Sequence, residues 1–150
     1  MIDFNDPKTL NSKLKDMLNR LNEIELLIIK CHLLVEFALN EFLTLTTGKS
    51  DVADDRLPFS QKVKKCKVLG LFDSAEDDLR MFILTLTKLR NQIAHTLSCD
   101  QSLLEELCLY TNEEKVKKGT FLKRQLKVLS LFNAGRIIGI AKVKKTTLSL

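Results

Sequence analysis

Residues 23 to 46, EIELLIIKCHLLVEFALNEFLTLT, distribute apolar side chains over nearly the whole circumference of a helix that would run about seven turns. Such a helix is stable in water only when other elements wrap it. The segment therefore predicts a central, buried helix with the remaining chain arranged around it. Glu25, Lys30, His32, Glu36, Asn40 and Glu41 interrupt it too often for a membrane span. Four of these, Glu25, His32, Glu36 and Asn40, fall within about 80° of one another on a helical wheel. A polar stripe on an otherwise apolar helix is costly unless it lines a cleft or is mutually satisfied.

The flanking chain supplies helix punctuation. Asp6-Pro7 reads as a helix start, with the aspartate accepting orphan N–H groups and the proline at the first helical position. Leu10, Leu14, Met17, Leu18 and Leu21 follow at helical spacing, and Asn22 permits a bend into the central helix. The main loop is expected over residues 46 to 59, TTGKSDVADDRLPF, then a short basic helix over 59 to 69 ended by Gly70. Ser74 and Asp77 form a capping-box-like start to a helix that runs to about residue 97. Asp100 caps a helix through about residue 111, and a last helix starts near Thr120.

Gly135 and Gly139, beside the β-branched RIIGIAKV, admit a kink, a close helix approach or a switch to strand. No alternating segment elsewhere offers a strand partner, which favours helix. The expected fold is an all-α, up-and-down bundle of about five helices, with residues 1 to 150 as a single helical domain. The first residues, MIDFNDPKTL, lack the basic-then-apolar order of a signal peptide, so a cytoplasmic protein without membrane contact is expected.

Cys31, Cys66, Cys99 and Cys108 form no C-x-x-C pair, which points to buried thiols and no zinc site. Residues 115 to 150 hold ten Lys/Arg and no Asp/Glu, whereas the preceding 114 residues hold 14 against 19. This asymmetry suggests a polyanionic partner, and Lys123, Arg124 and Lys127 are the candidate nucleic-acid contacts. A solvated outer helix face accounts for the same three residues.

The second constraint is KLRNQIAH, residues 88 to 95. On a wheel, Leu79, Phe82, Ile83, Leu86, Leu89, Ile93 and Leu97 share one arc, the core stripe. With Arg90 at 0°, the stripe centres near about −50°, Asn91 lies near about 100° and His95 near about 140°. His95 therefore projects away from the core. Met81 and Leu84 share that rear face, which calls for a cover: another helix or a second copy of the chain.

Arg90-Asn91-Gln92-Ile93-Ala94-His95 resembles the R-x(4–6)-H motif of the HEPN superfamily, the "higher eukaryotes and prokaryotes nucleotide-binding" domains. The context is similar as well: a helical domain of this length, an early apolar helix with an embedded acid in HLLVEFALNEFL, and the motif late in a following helix. The layout is more distantly similar to the mannitol-operon repressor family. The HEPN resemblance implies a metal-independent endoribonuclease without cofactor, commonly a toxin or defence effector, whose motifs meet across a homodimer cleft. Arg90, Asn91 and His95 are then the catalytic candidates, RNA the substrate, and an antitoxin or regulatory protein a further partner.

Those residue types suit the chemistry. RNA is cut without metal when its 2′-hydroxyl attacks the adjacent phosphate, which requires a base, an acid for the departing 5′-oxygen and a cation. Imidazole titrates near neutrality and can serve as base or acid, while guanidinium matches phosphate oxygens and stays charged. Asn91, one turn before His95, can orient the imidazole or bond RNA. Glu36 and His32 are the supporting candidates, Glu36 facing the Arg90 guanidinium or closing an internal salt bridge between helices. His32 and Glu36 as a metal pair lack a third ligand, so no metal is expected. Two other functions fit the chain: a catalytically inactive HEPN-like interaction module, and nucleic-acid binding by the basic C-terminal quarter without cleavage.

Overall fold

Asp6 starts the first helix by accepting the Lys8 N–H at 3.2 Å and the Thr9 hydroxyl at 2.8 Å, with Pro7 as the first helical residue. The Thr9 bond leads in holding the Asp6 carboxyl below its usual value. The computed structural model describes residues 6–19, 23–49, 56–73, 78–109 and 120–148. Among them are six α-helices and no strand: α1 Pro7–Asn19, α2 Glu23–Thr47, α3 Phe59–Val68, α4 Asp78–Thr96, α5 Gln101–Leu109 and α6 Thr120–Leu148. The expected Ser74–Asp77 start of α4 lies outside the described residues, as does the structure of residues 110–119 beyond α5.

The core is built on α2, which packs most extensively against α6 and also against α3 and α4. The contacts fix the directions. Glu23 meets Lys123 and Cys31 meets the Leu126 carbonyl, so α6 runs with α2. Glu25 meets Cys99, and the Arg90 charge acts on His32, so α4 runs against α2. The three long helices thus go up, down and up, with α3 and α5 as short connecting pieces. Ile28, Val35, Leu39, Phe42, Phe82, Leu86, Leu89, Ile93, Leu126 and Ile137 are among the residues that close the core. Each fully buried large side chain contributes about 1.5–3 kcal/mol relative to exposure.

One sequence expectation changes here, and the helix favoured through Gly135 and Gly139 is present. The central helix is not buried all round: Leu26, Leu33 and Phe37 are 46%, 59% and 56% exposed. They lie within about 40° of one another on the wheel, between the flank that holds α6 and the flank that holds α3 and α4. The apolar composition of α2 thus exceeds what its neighbours cover. Gly135 and Gly139 neither end α6 nor admit a neighbour; the helix continues through Leu148, and a Cβ at either glycine would meet nothing within 4 Å.

Turns follow the expected chemistry. Gly70 takes φ +90° after α3, and Gly48 takes φ +71° after α2. Asp100 caps α5 by accepting the Ser102 N–H at 2.8 Å and hydroxyl at 2.7 Å. The chain leaves α4 through Leu97, a residue with a Cβ at φ +57°, whose N–H donates to the Ile93 carbonyl at 2.8 Å. Leu97, expected in the core stripe, is therefore only half-buried beyond the helix end. Gly70→Ala is expected to lower unfolding free energy by about 1–2 kcal/mol in a urea titration, because the left-handed backbone penalises a Cβ. Gly135→Ala, in open space within a helix, should raise it by about 0.5–1 kcal/mol.

Candidate functional site

The face of α4 is partitioned as its wheel requires. Leu79, Phe82, Ile83, Leu86, Leu89 and Ile93 are buried, whereas Arg90, Asn91 and His95 are all exposed. The buried arc also takes in Thr85. Met81 and Leu84, on the side of His95, remain 37% and 40% exposed. Nothing among the described residues covers that face as completely as the core stripe is covered.

Arg90 Nη1 donates to Asn91 Oδ1 at 3.1 Å. The bond engages the Asn91 side-chain carbonyl and not its amide N–H groups. The end of α4 is held by a local lock. Gln92 Oε1 accepts the Asp100 N–H at 2.6 Å, and the Thr96 hydroxyl donates to the Gln92 carbonyl at 2.8 Å. These bonds tie the last turn, and with it His95, to the start of α5.

His32 and Glu36 are placed differently from His95. His32 is 2% exposed and packs its ring against Phe59 of α3, with centroids 4.2 Å apart and planes tilted by 43°. Its Nε2 is buried and has no hydrogen-bond partner among the described residues. Burial lowers the His32 pKa to about 4, with the Arg90 charge acting in the same direction and Glu36 opposing both. His32 is thus a neutral imidazole at pH 7, beneath the arginine of the motif.

Glu36 does not hold Arg90. Its Oε1 accepts from Lys62 Nζ at 2.8 Å, and the Lys62 side chain is fully buried. The internal salt bridge between helices is present, with α3 as the second helix. Lys62 had been covered only by the description of α3 as a basic helix. Its signal was the spacing Phe59, Lys62, Val63, Cys66, which puts the lysine on the apolar side of that helix. Glu25, also buried, meets the Cys99 thiol at 3.8 Å. Glu36 thus fastens α3 and Glu25 the turn after α4, while His32 Nε2 and Asn40 Oδ1 are buried without a hydrogen-bond partner among the described residues.

The candidate nucleic-acid contacts Lys123, Arg124 and Lys127 lie on α6, away from Arg90 on α4. Lys123 forms an ion pair with Glu23 at the start of α2, and the charge of Lys127 reaches the same carboxylate. Arg124 is exposed. Among the described residues no group of three His, Cys, Asp or Glu side chains is arranged to hold a metal ion. Cys31 and Cys66 are buried thiols; desolvation pushes Cys66 up to about 12 and raises Cys31, which keeps both protonated and unreactive. No helix of the described residues is long and apolar enough to cross a membrane.

No protein-family model, curated protein or solved structure matches this chain. The all-helical fold stands on the chain's own geometry.

Two expectations follow. Because the folded-state pKa of His32 lies below the ordinary 6.5, protonation favours the unfolded chain. Stability conferred by neutral His32 is full above pH 6.5 and is lost as pH falls toward 4, by about 3 kcal/mol in all. His32→Gln should remove that part of the pH dependence in urea titrations between pH 7 and 4, and Arg90→Ala should move the His32 titration upward by NMR. Separately, Glu36→Ala should cost about 3 kcal/mol by leaving the Lys62 ammonium buried without its partner, more than Lys62→Met, which removes the buried charge itself.

Proposed function

We propose that this chain is a metal-independent endoribonuclease of the HEPN type, a toxin or defence effector whose site forms where two copies meet. The observation that supports the reading best is that Arg90, Asn91 and His95 all stand on the solvent side of α4 while the apolar stripe of the same helix is buried. A histidine and an arginine set out in this way are available to a polyanion. Routine core or salt-bridge residues would have been drawn inward, as His32 and Lys62 are.

Arg90 and His95 diverge by about 140° around α4 and are separated by about 7.5 Å along it. One copy therefore does not bring both to a single phosphate head-on. Two-fold pairing through the face that carries Met81 and Leu84 supplies two imidazoles and two guanidinium groups to one groove. In that groove one His95 takes the 2′-hydroxyl proton as the oxygen attacks phosphorus, and the His95 of the second copy gives a proton to the departing 5′-oxygen. Arg90 offsets charge on the phosphorane, and the Asn91 amide N–H groups orient an imidazole or a non-bridging oxygen. The products are a 2′,3′-cyclic phosphate and a 5′-hydroxyl.

The contact between Arg90 and Asn91, together with the burial of His32 beneath Arg90, also favours a second reading in which the trio only shapes an interaction surface for a regulatory protein. Cleavage separates the two. Purified protein should cut RNA in excess EDTA, and His95→Ala or Arg90→Ala should reduce the rate by about 10²- to 10⁴-fold with an unchanged circular dichroism spectrum. EDTA-resistant cleavage that survives both substitutions overturns the assignment of the site. Absence of cleavage across diverse RNAs, by protein shown to be dimeric, leaves the interaction module.

A further inference from the structure

The outer face of α6 is a second surface with a composition of its own. Val128, Leu131 and Phe132 are 58%, 62% and 65% exposed. They precede Gly135 and Gly139 on the same side of the helix, where a Cβ would meet nothing within 4 Å. On the wheel these five residues span about 100° of the side turned away from α2. Val143, 67% exposed, resumes the apolar strip beyond Gly139, so the glycines sink its middle and leave side-chain-sized gaps between neighbouring ridges. Arg124 and Lys127 stand at one end of the strip and Lys142 at the other, all exposed, with about 27 Å between Arg124 and Lys142 at 1.5 Å per residue. No Asp or Glu occurs from residue 115 to the last residue.

We propose that this face docks an acidic amphipathic helix of another protein. The apolar strip with its glycine gaps accepts leucine-type side chains at i, i+3, i+4 and i+7, and the cations at the two ends fix carboxylates near the ends of the incoming helix. Charge decides against a second copy of this chain. Antiparallel apposition sets Arg124 against Lys142, parallel apposition sets Arg124 against Arg124, and neither arrangement has a carboxylate on α6 to relieve it. It also disfavours nucleic acid across the middle of the strip, where phosphates would meet chiefly apolar side chains and glycine, with the half-buried Arg136 at its edge. A bilayer is disfavoured by the glycines, which remove apolar bulk where an inserting face needs it most. The surface lies on a different helix from Arg90 and His95, so the proposal stands or falls independently of RNA cleavage.

A labelled 20-residue helical peptide with leucines in its central turns and glutamates toward both ends tests it on the full chain by fluorescence anisotropy. Micromolar binding that weakens with salt is expected, together with at least a tenfold loss in Phe132→Ser and in the double variant Arg124→Glu, Lys142→Glu. That double variant should instead bind the matching peptide with lysines in place of the glutamates. Gly135→Leu is the sharper variant: it favours helix and keeps α6 folded, yet fills the gap, so peptide affinity should fall about tenfold while the melting temperature holds or rises. Peptide affinity unchanged by Gly135→Leu overturns the proposal. So does binding to vesicles of phosphatidylglycerol and phosphatidylcholine that Gly135→Leu strengthens in the absence of peptide binding, which assigns the face to a membrane. A dimer in sedimentation that Phe132→Ser dissociates overturns it in favour of a second copy.

Discussion

The fold depends on the ion pair by which Glu36, in the polar stripe of α2, meets the buried Lys62 of α3. Glu25, His32 and Glu36 lie on the flank that receives α3 and α4, where Glu25 meets the Cys99 thiol, Glu36 meets the Lys62 ammonium and His32 packs on the ring of Phe59, while His32 Nε2 and Asn40 Oδ1 are buried without a hydrogen-bond partner among the described residues. Removing a carboxylate and an ammonium from water costs several kcal/mol per ion, which only a close, well-directed partner offsets. The 2.8 Å contact between Glu36 and Lys62 therefore sets how α3 lies on α2. Hydrophobic burial alone would tolerate sliding and rotation of the two helices; the ion pair does not. On the other flank α2 meets α6 through apolar residues, the weak contact of the Cys31 thiol with the Leu126 carbonyl at 4.0 Å, and the solvent-exposed Glu23–Lys123 ion pair at the start of both helices, a seam whose charged contact is screened by water and constrains the packing less.

This arrangement determines what α4 can present. With its Leu and Ile stripe committed to the core, the wheel leaves Arg90 at the boundary and sends Asn91 and His95 outward. Arg90 serves two environments: its guanidinium donates to Asn91 on the outer side, and its charge helps keep His32 neutral on the inner side. A buried imidazolium beneath Arg90 would repel it; a neutral ring does not. Among the described residues the candidate arginine thus remains in place without a carboxylate partner, its charge available to an incoming anion. A guanidinium clamped by Glu36 would already be half-neutralised before any phosphate arrived.

Most of the fold was legible because its signals are periodic and local. The stripe Leu79, Phe82, Ile83, Leu86, Leu89, Ile93 is buried as its spacing requires, and Asp6, Gly70 and Asp100 mark turns by chemistry that acts within a few residues. The exposure of His95 was legible for the same reason. The partner of Glu36 was not. Choosing Lys62 over Arg90 depends on where α3 settles after a loop, and no local pattern encodes that. Nor does apolar content reveal how much of a helix will be covered: α2 is apolar on nearly all sides, yet Leu33 and Phe37 face outward because the described neighbours fill only two of its flanks.

Among the described residues α2, α4 and α6 each leave two or more large apolar side chains in water, and the charges beside them distinguish these faces. The strip on α2 is bordered by Lys30 and Glu41, which can complement each other between copies or partners. The outer face of α6 carries cations alone, which excludes self-pairing unless something acidic intervenes. The outer face of α4 lies between these cases: Arg80, Lys88 and Arg90 are exposed beside Met81 and Leu84. Under the proposed nuclease reading, two α4 faces brought together concentrate like charge in the groove where RNA would lie. The polyanion is then part of what holds the copies together, because each phosphate it contributes offsets cations that the pairing has crowded. Electrostatic repulsion that would be a defect in a permanent dimer becomes, in this arrangement, a means by which substrate assembles its own site.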